Sequence, residues 1–249
     1  MYQALKEGTV DVAVMLTEGT LKFALEDPSI KIVGVYVASK AIWGVHAGKS
    51  SCSFDKIEDM KDETTFAISR FGSGSHLMAY VLAEKLRWST NESDMRFEVV
   101  GNLQGAVAAL PKKGNLVFMW EKFTTMPQVV DGTFKRVGEL LTPWPFFLIA
   151  ANAEFLQTGS EELEKVAAIV QKECQLFKTG GESTIQYVNQ HYHIQHDAVA
   201  EWLPSVSWAC ELKVDPLMLQ EVGNTLARLG QIETATNEQI TATIHEFKI

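Results

Sequence analysis

The sequence predicts an α/β fold of mostly parallel sheets with a helical C-terminal tail. Up to Ala150, apolar runs of strand length alternate with helical patterns. This alternation is typical of right-handed βαβ units, in which crossover helices join parallel strands. After Ala150 the strand signals stop and helical patterns follow. The alternation and the change at Ala150 together predict the fold class.

Eight strands are predicted, rich in Val, Ile and Phe and bounded by Gly, Pro, Asp or Ser. They are residues 10–16, 31–37, 41–46, 65–69, 96–100, 116–120, 134–139 and 146–150. Two helices are predicted between strands, at residues 75–88 and 103–110. Five more are predicted in the tail, at residues 161–178, 185–192, 198–203, 216–229 and 237–247.

The composition excludes several classes of protein. The chain has 249 residues, which fits one large or two small α/β units, and a net charge of -9. An acidic chain is not expected to bind nucleic acid, which requires a basic face. A local nest of backbone N–H groups still binds an anion, whatever the global charge. No run reaches the ~18 apolar residues of a membrane span, so we expect no membrane insertion.

The N-terminal residues bear on localisation. Residues 1–7 look like the middle of a helix, whereas a parallel α/β domain normally opens with a strand. We therefore expect that the opening strand and part of the first helix are missing from the chain as given. Acidic residues occupy the place of a signal peptide's apolar region. The chain as given is expected to be cytoplasmic, or periplasmic if a leader was removed with the missing segment.

Cysteine and histidine residues give no pattern of a metal or catalytic site. The histidines at positions 191, 193 and 196 lack a cysteine partner and an HExxH spacing. No GxSxG elbow supports a nucleophilic triad. Three scattered cysteines without CxxC spacing indicate packed or surface thiols rather than a disulfide framework: Cys52, Cys174 and Cys210. We expect no metal, no cofactor and no catalytic residue.

The most informative segment is a Gly/Ser-rich loop, Ser-Arg-Phe-Gly-Ser-Gly-Ser-His at residues 69–76, between a predicted strand and a predicted helix. A helix start at the C-terminal edge of a sheet presents free backbone N–H groups and a positive dipole end. The loop is therefore a candidate anion site, with Ser73, Ser75 and His76 as further donors. The alternative is a capped helix with a flexible lead-in. Nucleotide binding is not expected, because the loop is neither GxGxxG nor Walker A.

Two other strand ends carry candidate ligand contacts. One strand ends in Trp120 and Glu121, and the first strand is followed by Thr17 and Glu18. Open α/β sheets place ligand contacts at the C-terminal ends of strands. The alternatives are a core tryptophan beside a solvated glutamate, and an ordinary helix cap.

Several segments resemble type II periplasmic binding proteins. Residues 54–62, Phe-Asp-Lys-Ile-Glu-Asp-Met-Lys-Asp, and the strand and loop after them resemble the "DLKG, strand, GS" passage of that family. Met119-Trp-Glu resembles its "W-acid-P" strand end, with Lys122 in place of proline. Residues 142–150 resemble the strand that recrosses to the first lobe. Similar members are nitrate, taurine and alkanesulfonate binders, the NMT1/THI5-like group and a fungal and bacterial branch of leaderless proteins.

The resemblance implies a two-lobed fold with a ligand cleft between the lobes. Lobe one comprises residues 1–48 and 146–249, and lobe two residues 49–145. Strands near residues 41–49 and 146–150 would form the hinge. The family pattern places the ligand-binding residues at Thr17, Glu18, Trp43, Arg70, Ser73, Gly74, Ser75, His76, Asn102, Trp120 and Glu121.

The function implied is that of a monomeric solute-binding protein, not an enzyme. It would clamp a small anionic or zwitterionic molecule by hinge closure: a sulfonate, a carboxylate, nitrate or a thiamine precursor. Arg70 or the helix start would meet the acidic group, Trp120 would pack on the ligand body, and Glu18 or Glu121 would accept an N–H. An ABC transporter permease is the implied protein partner.

Two alternatives stay open. One is an enzyme on the same fold, of thiamine-pyrimidine or menaquinone-pathway synthesis. The former is known for clustered cysteines, which this chain lacks, and the latter needs a placed base, for which His76 is the candidate. The other is a ligand-sensing regulatory domain, although no segment resembles a helix-turn-helix.

Overall fold

The computed structural model describes residues 1–247, which divide into two compact units. Unit 1 comprises Met1–Lys40 together with the chain from Pro143 onward, and unit 2 comprises Ala41–Thr142. The lobes predicted from the sequence were divided after residues 48 and 145. Both boundaries of the structure lie slightly earlier, inside two long strands.

The strands and helices of the described residues follow the alternating order expected from the sequence. The strands are β1 (Val12–Leu16), β2 (Ile30–Gly48), β3 (Thr65–Ile68), β4 (Arg96–Val99), β5 (Leu116–Glu121), β6 (Phe134–Asn152) and β7 (Trp208–Glu211). The helices are α1 (Tyr2–Lys6), α2 (Thr17–Glu26), α3 (Gly74–Lys85), α4 (Leu103–Ala109), α5 (Met126–Val130), α6 (Ser160–Thr179), α7 (Glu182–Tyr192), α8 (His196–Ser205), α9 (Pro216–Arg228) and α10 (Asn237–Ala242).

The sheet of unit 1 is built on the ends of β2 and β6 that belong to it. β1 runs antiparallel to β6, with Val12 opposite Ala151 and Leu16 opposite Phe147. β7 runs antiparallel to β2, with Val35 opposite Glu211. The helices after β6 supply part of the apolar cover, because their amphipathic faces need a partner surface. A core cluster of this unit consists of Val33, Ile149, Ala151, Leu156 and Leu163.

The sheet of unit 2 positions the Gly/Ser-rich loop. β5 pairs antiparallel with β2 and parallel with β3, and β4 pairs parallel with β3. Because β3 is parallel to both neighbours, the loop from β3 to α3 leaves from the edge where their carboxyl ends also lie. A core cluster beneath consists of Ala67, Ala106, Leu110, Leu116, Phe118 and Phe134.

Two sequence predictions about the strands need correction. The four strands predicted at residues 31–37, 41–46, 134–139 and 146–150 are two continuous strands, since exposed polar residues such as Lys40 interrupt the apolar pattern but not the backbone pairing. Mostly parallel sheets were also expected. In the structure β3 pairs parallel with β4 and β5, whereas the pairs β1–β6, β2–β5 and β2–β7 are antiparallel. Each antiparallel pair includes β2 or β6, the long strands that pass through both units.

The predicted tail also differs from the structure. Strands do not stop at Ala150, because β6 continues to Asn152 and β7 follows later. β7 has four residues, too few for a visible alternation of apolar and polar positions, and it forms against β2. The last predicted helix, residues 237–247, ends at Ala242, after which Ile244 forms a bridge with Ile32. α2 and α5 were not among the predicted helices.

Gly34 tests the packing of β7 on β2. A Cβ atom at Gly34 would overlap the carbonyl oxygen of Glu211, whereas one at Gly19 in α2 would meet only the Phe23 ring at 3.8 Å. We expect Gly34→Ala to lower the free energy of unfolding by about 2 kcal/mol or more, as overpacking does. Gly19→Ala should leave it unchanged or raise it by about 0.5 kcal/mol, because alanine favours helix. Urea unfolding measures both, and equal effects would contradict this packing.

Candidate functional site

The hydroxyl groups of the Gly/Ser-rich loop hold the loop itself together. Ser73 Oγ donates to the carbonyl oxygen of Arg70 at 2.6 Å and accepts the N–H of His76 at 3.3 Å, which makes Ser73 the N-cap of α3. Ser75 Oγ accepts the N–H of Ser69 at 3.0 Å and lies 3.0 Å from Ser73 Oγ. Both serines are buried. The capped-helix alternative therefore describes the two serine side chains correctly. The groups that this helix start offers to an anion are the backbone N–H groups of Gly74 and Ser75.

The ring of His76 shapes the same loop. Its Nδ1 accepts the N–H of Gly72 at 3.1 Å, and Gly72 has a φ of +74°, a left-handed conformation that favours glycine. The ring is buried among Phe71, Tyr80 and Phe97, with centroid distances of 5.2, 5.2 and 4.7 Å. Because Nδ1 is the acceptor, the proton of the neutral ring lies on Nε2.

Arg70 is the cation of this loop. Its side chain is exposed, whereas the serines and His76 around it are buried. It follows β3 by two residues and precedes α3 by four, so its backbone lies at the same edge of the sheet as the helix start.

Trp43 and Trp120 meet where β2 pairs with β5. Their ring centroids are 6.4 Å apart in an edge arrangement, and Trp120 also stacks on Phe118 at 5.2 Å. Trp43 is 5% exposed, and its Nε1 has no hydrogen-bond partner among residues 1–247. Buried indole N–H groups are usually paired, so an unpaired one indicates strain or a missing acceptor.

The carboxylate of Glu121 is engaged within its own turn. Its Oε2 accepts the backbone N–H groups of Phe123 at 3.1 Å and Thr124 at 2.7 Å, and the Thr124 hydroxyl at 2.7 Å. The neighbouring Lys122, where the family pattern has proline, is buried and pairs with Glu139 at 3.0 Å. Its backbone N–H donates to the carbonyl oxygen of Ile42, a bond that proline would lack.

Asn102 is also a helix cap. It is exposed, and its Oδ1 accepts the N–H of Gly105 at 3.1 Å at the start of α4. This cap is a sufficient reason for asparagine at this position.

In unit 1, Thr17 and Glu18 begin α2 directly after β1. Thr17 is fully buried, and its Oγ1 donates to the carbonyl oxygen of Pro145 at 2.6 Å. Glu18 is 5% exposed, and its Oε2 accepts the indole N–H of Trp144 at 2.9 Å. Within the described part of the chain, no hydrogen-bond donor contacts Glu18 Oε1. A buried carboxyl group with one unpaired oxygen is costly unless it is protonated or meets a donor.

The surroundings of Glu18 change its ionisation. Burial raises the pKa of Glu18 to about 7, although hydrogen bonds from its own backbone N–H and from Trp144 oppose the rise. Trp144 was not among the predicted site residues. The sequence signal that marks it is a tryptophan between two prolines, in a segment identified only as a recrossing strand.

Sequence reasoning also missed a buried polar cluster around His46 in unit 2. His46 Nδ1 donates to the carbonyl oxygen of Phe118 at 3.3 Å, and Nε2 accepts the hydroxyl of Thr125 at 3.0 Å. Burial lowers the pKa of His46 to about 3, and Arg136 adds to the decrease. This histidine therefore stays neutral near pH 7 and acts as a structural residue. The sequence shows His46 only as a lone histidine in a Val- and Gly-rich strand, a pattern that does not indicate a buried polar cluster.

The structure thus gathers five predicted residues in one loop: Arg70, Ser73, Gly74, Ser75 and His76. Trp43, Trp120 and Glu121 lie together elsewhere in unit 2, and Thr17 and Glu18 lie in unit 1. Among residues 1–247, no cluster of three or more metal-ligating side chains is found. No helix in the same range is long and apolar enough to cross a membrane.

Comparison with known proteins supports the fold assignment. Residues 43–140 match the model of a family described as Ca3427-like PBP. The structure is similar to that of the Candida albicans CA3427 gene product, which has the periplasmic binding protein fold, with 22% identity, a TM-score of 0.87 and coverage of 98% of this chain and 81% of that one. No curated protein matches the sequence.

Two sulfonate-binding proteins are also similar in structure. They are the alkanesulfonate-binding protein SsuA of Xanthomonas axonopodis pv. citri, bound to MOPS (13% identity, TM-score 0.74, 98% of this chain and 83% of that one), and the periplasmic aliphatic sulphonate binding protein SsuA of Escherichia coli (13%, 0.72, 98% and 78%). The predicted α/β fold class and the resemblance to type II periplasmic binding proteins are thereby confirmed. The resemblance to the NMT1/THI5-like group stays a prediction.

Glu18 makes the stability of the fold depend on pH. The folded protein holds the Glu18 proton up to a pKa of about 7, whereas the unfolded chain loses it near the ordinary value of 4.5. Between these values the folded state binds more protons, so the free energy of unfolding falls as pH rises. Glu18→Gln cannot ionise. We expect it to be slightly more stable than the wild type at pH 5, just inside this window, and more stable by on the order of 3 kcal/mol at pH 8.

Urea unfolding of both proteins at the two pH values measures this difference. The comparison isolates Glu18, because every other titrating group is common to the two proteins. A difference that is the same at pH 5 and pH 8 would contradict the assigned ionisation.

Proposed function

We propose that this chain, which has the periplasmic-binding-protein fold, binds a small zwitterionic solute that carries a sulfonate or carboxylate group and a hydrogen-bond donor. The observation that carries the proposal is Glu18, whose buried carboxyl group leaves one oxygen without a partner among the described residues. A binding site built around a ligand donor is the simplest reason to keep such a group.

The acidic end of the ligand is assigned to the Gly/Ser-rich loop. Ser73 and Ser75 already bond within the loop, so the contacts proposed for the ligand are the N–H groups at the start of α3 and the Arg70 guanidinium. Backbone N–H groups at a helix start and a forked guanidinium both suit planar or tetrahedral anions.

The donor end of the ligand is assigned to Glu18 rather than Glu121. Glu121 Oε2 already accepts three hydrogen bonds from its own turn, whereas Glu18 Oε1 is unpaired in the described structure. An ammonium group is the donor best matched to it, because it also favours the ionised carboxylate.

Trp43 supplies a second specificity contact. Its buried Nε1–H is a donor without a partner in the described part of the chain, so the proposal gives the ligand an acceptor oxygen at that position. Trp120 stacks on Phe118 and meets Trp43 edge-on, so its role in the proposal is to hold Trp43 in place rather than to stack on the ligand.

The mechanism proposed is closure of the two units on the ligand. β2 and β6 each run from one unit into the other, so a small change of backbone angles in these strands would act as the hinge. A ligand favours a closed state only through contacts that the open state lacks. Delivery to an ABC-type permease is the use proposed for such a binder.

Matched pairs of acids with and without an amino group test this proposal. We suggest taurine against ethanesulfonate and β-alanine against propionate, measured by calorimetry and thermal shift. At about 100 times its Kd, a ligand should raise Tm by roughly 5–10 °C. The amino member of a pair should bind more tightly to the wild type. Arg70→Ala should weaken both members about tenfold or more, since it removes a bond to a charged group.

Two variants complete the design. Glu18→Gln should abolish the preference for the amino member and leave the affinity for the plain acid nearly unchanged. Lys85→Ala, which removes an exposed cation at the other end of α3, should change neither. Binding of no pair would reject the solute-binding proposal for these acids. Recovery of a chemically altered ligand would favour an enzyme on the same fold.

A further inference from the structure

Two of the three cysteines lie side by side in unit 1. Cys174 is on α6 and Cys210 is on β7, and their Sγ atoms are 3.2 Å apart. Both thiols are free in the structure. Their separation of 36 residues in the chain gave no sign of this proximity. It arises because α6 packs on the strand that β7 forms along β2.

We propose that Cys174 and Cys210 are a modification site, at which oxidation forms an intrachain disulfide between α6 and β7. The oxidant is a low-molecular-weight disulfide such as oxidised glutathione. Bonded sulfur atoms lie ~2.05 Å apart, so the two Sγ atoms must approach by about 1.2 Å. The proposal assigns this approach to rotation of the two side chains.

The environments of the two thiols determine the order of the steps. Cys210 is 3% exposed, and burial raises the pKa of its thiol to about 12, with a further contribution from Cys174. Cys174 is partly exposed. Since the thiolate is the attacking species and must reach the oxidant, Cys174 reacts first.

The exchange is balanced without any further reactant. Cys174 first loses its proton to solvent, and its thiolate attacks one sulfur of glutathione disulfide. A mixed disulfide forms, and the first glutathione leaves as a thiolate that takes up a proton. The Cys210 sulfur then gives up its proton and attacks Cys174 Sγ. The bond from Cys174 to the second glutathione breaks, and that glutathione leaves with the proton of Cys210. Two protein thiols are oxidised and one glutathione disulfide is reduced to two thiols.

The cross-link would close the chain from Cys174 to Cys210, which contains α7 and α8. A closed loop of this length restricts the unfolded chain and stabilises the folded one. The third cysteine serves as an internal control, because Cys52 lies in unit 2 and its Sγ contacts the carbonyl oxygen of Phe54. The reaction is expected to proceed in an oxidising compartment and to be reversed by a strong reductant.

The test is to treat the whole purified chain with oxidised glutathione and then to count thiols after denaturation. The count should fall from three to one, and the intact mass should drop by two hydrogen atoms. A peptide map should show Cys174 joined to Cys210. The oxidised protein should have a Tm higher by roughly 5–10 °C. Dithiothreitol should restore all three thiols and the original Tm.

Variants separate this disulfide from other oxidation products. Cys52→Ser should still lose two thiols, whereas Cys174→Ser and Cys210→Ser should form no intrachain cross-link. Cys174→Ser is the main control, because its partly exposed site tolerates serine better than the buried Cys210 site. A stable glutathione adduct on Cys174, a link that involves Cys52, or three thiols retained by the folded oxidised protein would each overturn the proposal.

Discussion

Both units depend on one constraint: the long strands β2 and β6 must find backbone hydrogen-bond partners along their whole length. Each strand has 19 residues and crosses a unit boundary, so its N–H and C=O groups must find partners in both units. β7 and β5 pair with successive parts of β2, and β1 pairs with the last part of β6. Where β2 enters unit 2, the N–H of Ala41 donates to the Thr142 hydroxyl at 3.0 Å.

The sequence predicted those parts of the fold that local patterns encode. Alternating apolar residues located β1, β3, β4 and β5 to within two residues, and the Asp-Pro pair at positions 215 and 216 gave the start of α9. Features that depend on distant partners were missed. β7 exists because β2 offers it an edge, and its four residues, Trp-Ala-Cys-Glu, have no strand pattern of their own.

The same distinction governs the candidate site. Polar residues at strand and helix ends look like ligand contacts in a sequence, yet Ser73, Asn102 and Glu121 each satisfy backbone N–H groups within a few residues. Glu18 differs because its partner, Trp144, lies 126 residues away and leaves one oxygen unpaired within residues 1–247. No local pattern separates Glu18 from Glu121, so the sequence could name the pair but not choose between them.

The proposed ligand also follows from the charges of the two units. Arg70 supplies a guanidinium cation, whereas Glu18, with a pKa of about 7, carries a full charge only in more alkaline solution. An ammonium group beside Glu18 favours the ionised carboxylate, so binding near neutral pH releases the carboxyl proton. A neutral hydroxyl gains less, because it does not compensate the charge that burial makes costly. The proposal therefore favours a ligand that carries a cationic donor as well as an anionic group.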